Sequence, residues 1–93
     1  MVYVNKIRMK KDCHYSNSPI EIDELHLIGL VNGPGWYKKA TVHDYIKYNN
    51  GTVRVYILPY PELIPMVSSR GEKYVKSVAN STTKDNLMNL PRE

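Results

Sequence analysis

Apolar and polar residues alternate over the first ten positions of the chain. In an extended segment one face would carry Tyr3, Asn5, Ile7 and Met9, and the other would carry Val4, Lys6, Arg8 and Lys10. Because successive side chains of a strand point to opposite faces, this pattern predicts a half-buried strand over residues 2–11. Loop-forming residues follow it from Asp12 to Pro19.

A second apolar stretch covers residues 20–31 and predicts a strand buried on both faces near the centre of the sheet. A short helix is the alternative, since Ile22, Leu25 and Gly29 also have helical spacing. Gly29 and the β-branched residues favour the strand. The turn-forming run Asn32-Gly33-Pro34-Gly35 predicts an element boundary after it.

The only long helix is predicted over residues 36–48, where Val42, Tyr45 and Ile46 have the i, i+3, i+4 spacing. Thr41 is expected to cap its N-terminus, with Asp44 at the distance of a capping box. The helix should end at Asn49-Asn50-Gly51, with glycine in the left-handed cap conformation.

The C-terminal half is predicted to hold three strands and a final helical turn. Residues 52–58 alternate β-branched and polar side chains, and residues 63–68 and 73–79 flank a hairpin turn at residues 69–72. Three prolines make residues 59–65 a loop or a ragged edge strand, because proline cannot donate to a ladder. Leu87 and Leu90 precede Pro91 and predict a short turn that the two leucines hold in place.

These elements predict an α+β fold: a single antiparallel sheet of four to five strands, one main helix on one face and a short C-terminal helical turn. A chain of 93 residues with 42% hydrophobic and 24% charged residues is typical of one globular domain, residues 1–93. The one cysteine, Cys13, excludes an intrachain disulfide, and no segment has the length of a signal-peptide core or a membrane span. We therefore expect a cytoplasmic protein that does not contact a membrane.

The last twenty residues carry a two-part pattern. Tyr74-Val75-Lys76-Ser77 is followed, after residues 78–84, by Asp85-Asn86-Leu87-Met88-Asn89-Leu90-Pro91. This ending resembles that of an uncharacterised bacterial family of short proteins, a domain of unknown function, in which a Tyr-Leu-Arg-Thr-like strand precedes Asp-Asn-Leu-x-x-Leu-Pro at the same separation. Upstream, His26-Leu27-Ile28 resembles the family's His-x-Ile strand, and residues 41–46 resemble its amphipathic helix.

The chain departs from that family at two places in the tail. Asn80-Ser81 stands where the family tends to have Asp-Gly, and Lys84 replaces a capping threonine, so the cap is expected at Thr83 or Asp85. The resemblance implies a fold and a bacterial origin. It implies no activity and no catalytic residue.

Basic and aromatic residues form the first candidate site. The net charge is +4, and Lys6, Arg8 and Lys10 would share one strand face at intervals of roughly 6.6 Å, a spacing that suits successive phosphates. Lys38 and Lys39 add charge beside Trp36 and Tyr37, so the set could form a stacking platform with a basic rim for nucleic acid. The alternative is a solvated strand face whose lysines guard an exposed edge.

Asp85 and Asn86 form the second candidate site. Their carboxylate and amide could contact a ligand, but residues at the head of a helical turn more often satisfy backbone N–H groups. We favour the second role, in which the tail is a latch on the sheet.

No pattern for metal, cofactor or catalysis is present. Cys13, His14, His26 and His43 lack the spacing of a zinc site, and a cysteine nucleophile would need an aligned histidine and an oxyanion hole. We expect His43 on the solvent side of the helix and His26 within the sheet. The function is therefore predicted as a small non-enzymatic binding or protein-interaction module, with a protein partner or self-association favoured and nucleic-acid binding as the alternative.

Overall fold

The structure, a computed structural model, describes residues 1–78 and 85–93. Its one α-helix is α1 (Lys39–Tyr48), and its strands are β1 (Val2–Met9), β2 (Ile22–Ile28), β3 (Gly35–Lys38), β4 (Val53–Val55), β5 (Leu63–Val67) and β6 (Lys73–Ser77). Two 3₁₀ turns cover Pro19–Glu21 and Asn86–Asn89. The α+β class is confirmed, as are the hairpin between β5 and β6 and the short turn near the C-terminus.

The strands form two sheets rather than one. A four-stranded sheet has the order β3-β2-β1-β4, and β5 pairs only with β6 in a separate two-stranded sheet. β4 runs parallel to β1, whereas the other pairs are antiparallel. The predicted single antiparallel sheet is therefore wrong. The helix between β3 and β4 supplies the long connection that a parallel neighbour of β1 requires.

A bulge in β1 reverses the predicted faces of its first half. Val4 pairs with Leu27 and Lys6 pairs with His26, which leaves Asn5 as the extra residue. Because of this insertion, Val2 and Val4 face the core together with Ile7 and Met9. Strict alternation had placed Val4 with the lysines, and that prediction is wrong.

β2 is a strand, as predicted, but only one of its faces is buried. Ile22, Leu25 and Leu27 point into the core, and Glu24 and His26 point to the other side and are half-buried. The sequence predicted burial on both faces because the apolar residues that follow the end of β2 were counted as part of the strand.

The helix starts later than predicted. Trp36–Lys38 belong to β3, where Trp36 pairs with His26, and the helix begins at Lys39 with Lys38 as its N-cap. Thr41 therefore lies inside the first turn, and its prediction as the cap is wrong. Pairing with β2 outweighs the helical periodicity of these residues, since it places the Trp36 ring against the sheet.

The end of the helix also differs in one detail. Asn50, rather than Gly51, has the left-handed conformation, with φ 52°. Gly51 is required for space, because a Cβ atom there would lie 2.2 Å from Cε2 of Tyr45. The sequence pattern is correct about where the helix ends but assigns the positive φ to the wrong residue.

The core lies between the four-stranded sheet and a second layer made of α1, the β5–β6 hairpin and the C-terminal turn. Its buried apolar side chains come from α1, the C-terminal turn and every strand except β3: Val2, Val4, Ile7, Met9, Ile22, Leu25, Leu27, Val42, Val53, Val55, Leu63, Val75, Leu87, Met88 and Leu90. His43 is also buried, with 1% of its surface exposed, so its predicted solvent position is wrong. Its Nδ1 lies 2.9 Å from Oδ1 of Asp44, which also accepts from Lys73 of β6.

The C-terminal segment closes the fold along β1. The N–H of Ile7 donates to the Pro91 carbonyl at 2.9 Å, and the N–H of Glu93 donates to the Ile7 carbonyl at 3.0 Å. The segment thus extends the edge of the sheet on the same side of β1 as β4. The expected turn at Asn80-Ser81 and the alternative cap at Thr83 lie outside the described residues.

Candidate binding surface on the outer face of the sheet

One side of the four-stranded sheet points away from the core, and we call it the outer face. Bulges and alternation together place on it Tyr3, Lys6, Arg8, Glu24, His26, Trp36, Lys38 and Arg54. The helix and both strands of the hairpin lie on the opposite side, against the buried apolar residues. The outer face therefore carries polar and aromatic groups without a second layer from the part of the chain that the structure describes.

Trp36 is the centre of this face. The guanidinium of Arg8 lies 4.1 Å from its ring centroid, and Nζ of Lys6 lies 5.9 Å away. The ring of His26 meets it edge-on, with centroids 5.1 Å apart. Cations over an indole face are attracted by its quadrupole, so the two cations and the indole support one another.

His26 connects Trp36 to β1. Its Nδ1 lies 2.7 Å from Oδ1 of Asn5, the bulge residue. Burial lowers the pKa of His26, and the Lys6 ammonium lowers it further. The imidazole is therefore neutral near pH 7 and adds no charge to the outer face.

A cluster of three tyrosines borders the same face. The ring centroids of Tyr3 and Tyr56 are 5.2 Å apart, and those of Tyr3 and Tyr60 are 5.6 Å apart. Tyr56 is 52% exposed, and the neighbouring Leu58 is 75% exposed. Large amphipathic rings that reach solvent in this way are enriched where proteins bind other proteins.

The cations of the outer face each have a carboxylate partner. Arg8 donates to Glu24 at 2.7 Å and Arg54 to Glu62 at 2.8 Å, while the lysines make longer contacts of 3.3 Å each. The lysine pairs are Lys6 with Glu93 and Lys38 with Asp23. Four positive charges thus meet four negative ones, and the surface is close to neutral.

Two of the predicted basic residues belong to another cluster. Nζ of Lys39 donates to the Ile20 carbonyl at 2.5 Å and to Oε2 of Glu72, and Lys10 donates to the same Oε2 at 2.7 Å. Lys39 is only 8% exposed. The predicted set is therefore divided. Lys6, Arg8, Trp36 and Lys38 share the outer face, whereas Tyr37 lies on the core side and is not part of a stacking platform. Lys10 and Lys39 connect the end of β1 and the start of α1 to the hairpin.

The three charged groups of this second cluster, Lys10, Lys39 and Glu72, shift each other's pKa values. Hydrogen bonds from Lys10 and then Lys39 lower the pKa of Glu72 from 4.5 to about 2. The bond to Glu72 raises the pKa of Lys10, whereas burial lowers that of Lys39. Because a depressed carboxylate pKa stabilises the folded state above the ordinary value, the contribution of Glu72 is complete above pH 4.5 and is lost as the pH falls towards 2.

The variant Glu72→Gln should therefore flatten the acid limb of the stability profile. We expect the free energy of unfolding of the wild type to fall more steeply than that of the variant between pH 4.5 and about 2, the interval of the Glu72 shift. Urea titrations at several pH values within this interval measure both slopes. Parallel slopes would mean that the ion pairs of Glu72 with Lys10 and Lys39 do not stabilise the folded state.

Asp85 and Asn86 organise the tail. The carboxylate of Asp85 accepts from the backbone N–H of Ser77 at 3.1 Å, from the Ser77 hydroxyl at 2.9 Å and from the N–H of Leu87 at 2.9 Å. Asn86 is buried, and its N–H donates to the Ser77 hydroxyl at 3.2 Å. These contacts join the C-terminal turn to the end of β6, the arrangement expected of a latch.

The Cys13 thiol is hydrogen-bonded to a carboxylate. The Cys13 thiol donates to Oε2 of Glu21 at 3.3 Å, and this hydrogen bond raises the pKa of the thiol. Within residues 1–78 and 85–93, no three His, Cys, Asp or Glu side chains are placed to hold a metal ion. No described helix combines the length and the apolar character that crossing a membrane requires.

Sequence reasoning missed a small apolar cavity beside β3. It measures about 110 Å³ and lies between the β2–β3 edge and α1. Its lining residues are Leu27, Leu30, Tyr37, Thr41, Val42 and Tyr45. No local pattern in the sequence indicates this cavity, because its lining is assembled from residues of β2, β3 and α1 and from the segment after β2.

Comparison with known protein families gives a match over most of the chain. A family model described as "Protein of unknown function (DUF3892)" matches residues 4–91. No curated protein matches the chain. No solved structure matches it either.

Proposed function

The chain belongs to this family of proteins of unknown function, so its role must be inferred from its own surface, and we propose that it is a non-enzymatic protein-binding module whose recognition surface is the outer face of the sheet. One observation carries the proposal: the face is rich in Trp, Tyr and Arg and yet close to neutral. Those three residue types are enriched among the few hot-spot residues that carry most of the binding energy at protein interfaces.

The neutral charge favours a protein over a nucleic acid. Binding to a phosphate backbone depends on cations that are free to replace the counterions of the nucleic acid. On the outer face, Arg8 and Arg54 already hold carboxylates at 2.7 Å and 2.8 Å. Arg8 also covers one face of the Trp36 ring, which a base would need for stacking.

The paired charges suit a protein partner for a second reason. Ion pairs that are already formed hold Arg8 and Glu24 in one geometry, so less side-chain entropy is lost on binding. A partner can then cover Trp36 and Tyr56 with apolar groups and leave the paired charges at the rim.

Affinity capture with matched variants tests whether the outer face binds a protein. Wild-type protein, Trp36→Ala, Tyr56→Ala and the control Tyr15→Ala would each be immobilised and exposed to a nuclease-treated extract of source cells. Tyr15 is 91% exposed and lines a surface pocket with Met88 and Arg92, and none of the outer-face residues lines that pocket, so its removal changes aromatic content without touching the proposed surface. Bound proteins would be quantified by mass spectrometry.

We expect a protein that the wild type and Tyr15→Ala retain and that both outer-face variants lose by at least tenfold, the loss typical of a hot-spot residue. Tyr56→Ala keeps the test valid if Trp36→Ala does not fold, because Tyr56 is already 52% exposed. Equal retention by all four proteins would refute the proposal. Proteins captured from an untreated extract but from none of the nuclease-treated samples would favour nucleic acid instead.

We also propose that the module acts in the cytoplasm. The chain has one cysteine and so cannot form an intrachain disulfide, which is usual for small proteins of reducing compartments. Fractionation of source cells with an antibody to the protein would test this location.

A further inference from the structure

The free edge of β3 lies beside the outer face and offers a second kind of contact. β3 pairs with β2 on one side, and no described residue pairs with its other side. The backbone there presents both donors and acceptors. A nucleic-acid backbone supplies acceptors but hardly any donors, whereas an added polypeptide strand supplies both in alternation.

The cavity beside this edge fits one side chain. Tyr37 points from β3 into the core side, where the cavity of about 110 Å³ is lined almost entirely by apolar groups of Leu27, Leu30, Val42 and Tyr45. This volume suits an aliphatic side chain about the size of leucine. The Tyr37 ring lies over Gly35, 3.6 Å from the position that a Cβ atom there would take, and Tyr37 is the residue of β3 that lines the cavity.

The positive charge of Lys38 at the edge of β3 indicates which kind of residue would stand next to the cavity-filling residue in a bound peptide. Lys38 projects to the outer face, its side chain is 63% exposed, and its contacts to Asp23 are 3.3 Å long. A carboxylate of a bound strand can therefore compete for it. Since neighbouring residues of a strand point to opposite faces, an aliphatic residue in the cavity and an acidic residue facing Lys38 would be adjacent in the bound sequence.

We propose that β3 binds an extended peptide by strand addition, with an aliphatic side chain in the cavity of Leu27, Tyr37 and Tyr45 and an adjacent acidic side chain against Lys38. This inference rests on the proposed function and specifies its partner class. Because β3 has only four residues, it can make few backbone hydrogen bonds, so the cavity must supply much of the selectivity. Short length and a terminal lysine also keep the edge from pairing indiscriminately with other sheets.

The test uses random decapeptides displayed on phage, selected on the full chain and then titrated as synthetic peptides. We expect the selected sequences to share an adjacent aliphatic–acidic pair. Thr41→Phe, which fills the cavity from its exposed mouth, should weaken binding at least tenfold. The control Ala40→Phe adds the same bulk one residue away, on a side chain that does not line the cavity, and should change the affinity less than twofold.

A second measurement needs no variant. Hydrogen exchange of the outward-facing amides of Trp36–Lys38 in the wild type should slow by at least tenfold when the peptide is bound, because strand addition protects them. Peptides that bind without this protection, or a library that yields no binder, would overturn strand addition. If peptides bind without this protection but Trp36→Ala still weakens their binding, strand addition is wrong and the proposed outer-face function stands. If neither Trp36→Ala nor Thr41→Phe changes the affinity, both the inference and the proposed function fail.

Discussion

Replacing Leu87 by alanine should lower the free energy of unfolding by about 2–5 kcal/mol, the range for a buried leucine truncated in a packed core. Leu87 is fully buried in the C-terminal 3₁₀ turn and belongs to the same core cluster as Val75 of β6. A domain of this size has a total stability on the order of 5–15 kcal/mol, so the change is a large part of it. Urea unfolding followed by the Trp36 fluorescence measures the loss.

The matched control is Asn89→Ala in the same turn. Asn89 is exposed, so its replacement should change the stability by less than about 0.5 kcal/mol. A loss below about 1 kcal/mol for Leu87→Ala would mean that the turn merely rests on the sheet.

The tail matters for the outer face as well as for the core. Beyond the turn, Pro91 and Glu93 pair with Ile7, and the Glu93 carboxylate accepts from Lys6, which lies over Trp36. The buried leucines of the turn thus position a carboxylate at the rim of the proposed binding surface. These residues are far apart in the sequence, and the fold brings them together.

The fold could be predicted from the sequence where a local signal determined the outcome. The turn around Gly71, which has a positive φ, and the two leucines before Pro91 are such cases. The parallel pairing of β1 with β4 could not be predicted, because it depends on where the chain returns after α1 rather than on the residues of β4. The bulge at Asn5 was also hidden, since alternation continues on both sides of it with opposite phase.

The candidate site was predicted in part. The cations and Trp36 were identified because charge and aromatic content are visible in the chain, and the structure does bring Lys6 and Arg8 to the Trp36 ring. Their partners were not identified, because Glu24 and Glu93 are distant in sequence or lie on another strand. An inventory of basic residues therefore overestimates the charge that a phosphate backbone would meet.

Because carboxylates already pair with the cations beside Trp36, removing those carboxylates is the second change with a large expected effect. The double variant Glu24→Gln with Glu93→Gln should convert the outer face into a salt-sensitive nucleic-acid-binding surface by releasing Arg8 and Lys6 beside Trp36. Two phosphate contacts to a single strand give a slope of about −1.4 for the logarithm of the binding constant against the logarithm of salt concentration. Titration of Trp36 fluorescence with a single-stranded oligonucleotide at several salt concentrations measures it, and the wild type should show almost no quenching.

The control must change the net charge equally at another place. Asp12→Asn with Glu21→Gln also removes two carboxylates, but neither residue contacts a cation of the outer face among the described ion pairs. If both double variants gain the same affinity, overall charge attracts the nucleic acid and the outer face has no special part. If the wild type itself shows strong, salt-sensitive quenching, the ion pairs open readily, and the choice of a protein partner over nucleic acid would be wrong. Binding by the outer-face variant alone would show that the paired carboxylates set the chemistry of this surface, because the lysine, the arginine and the indole are the same in all three proteins.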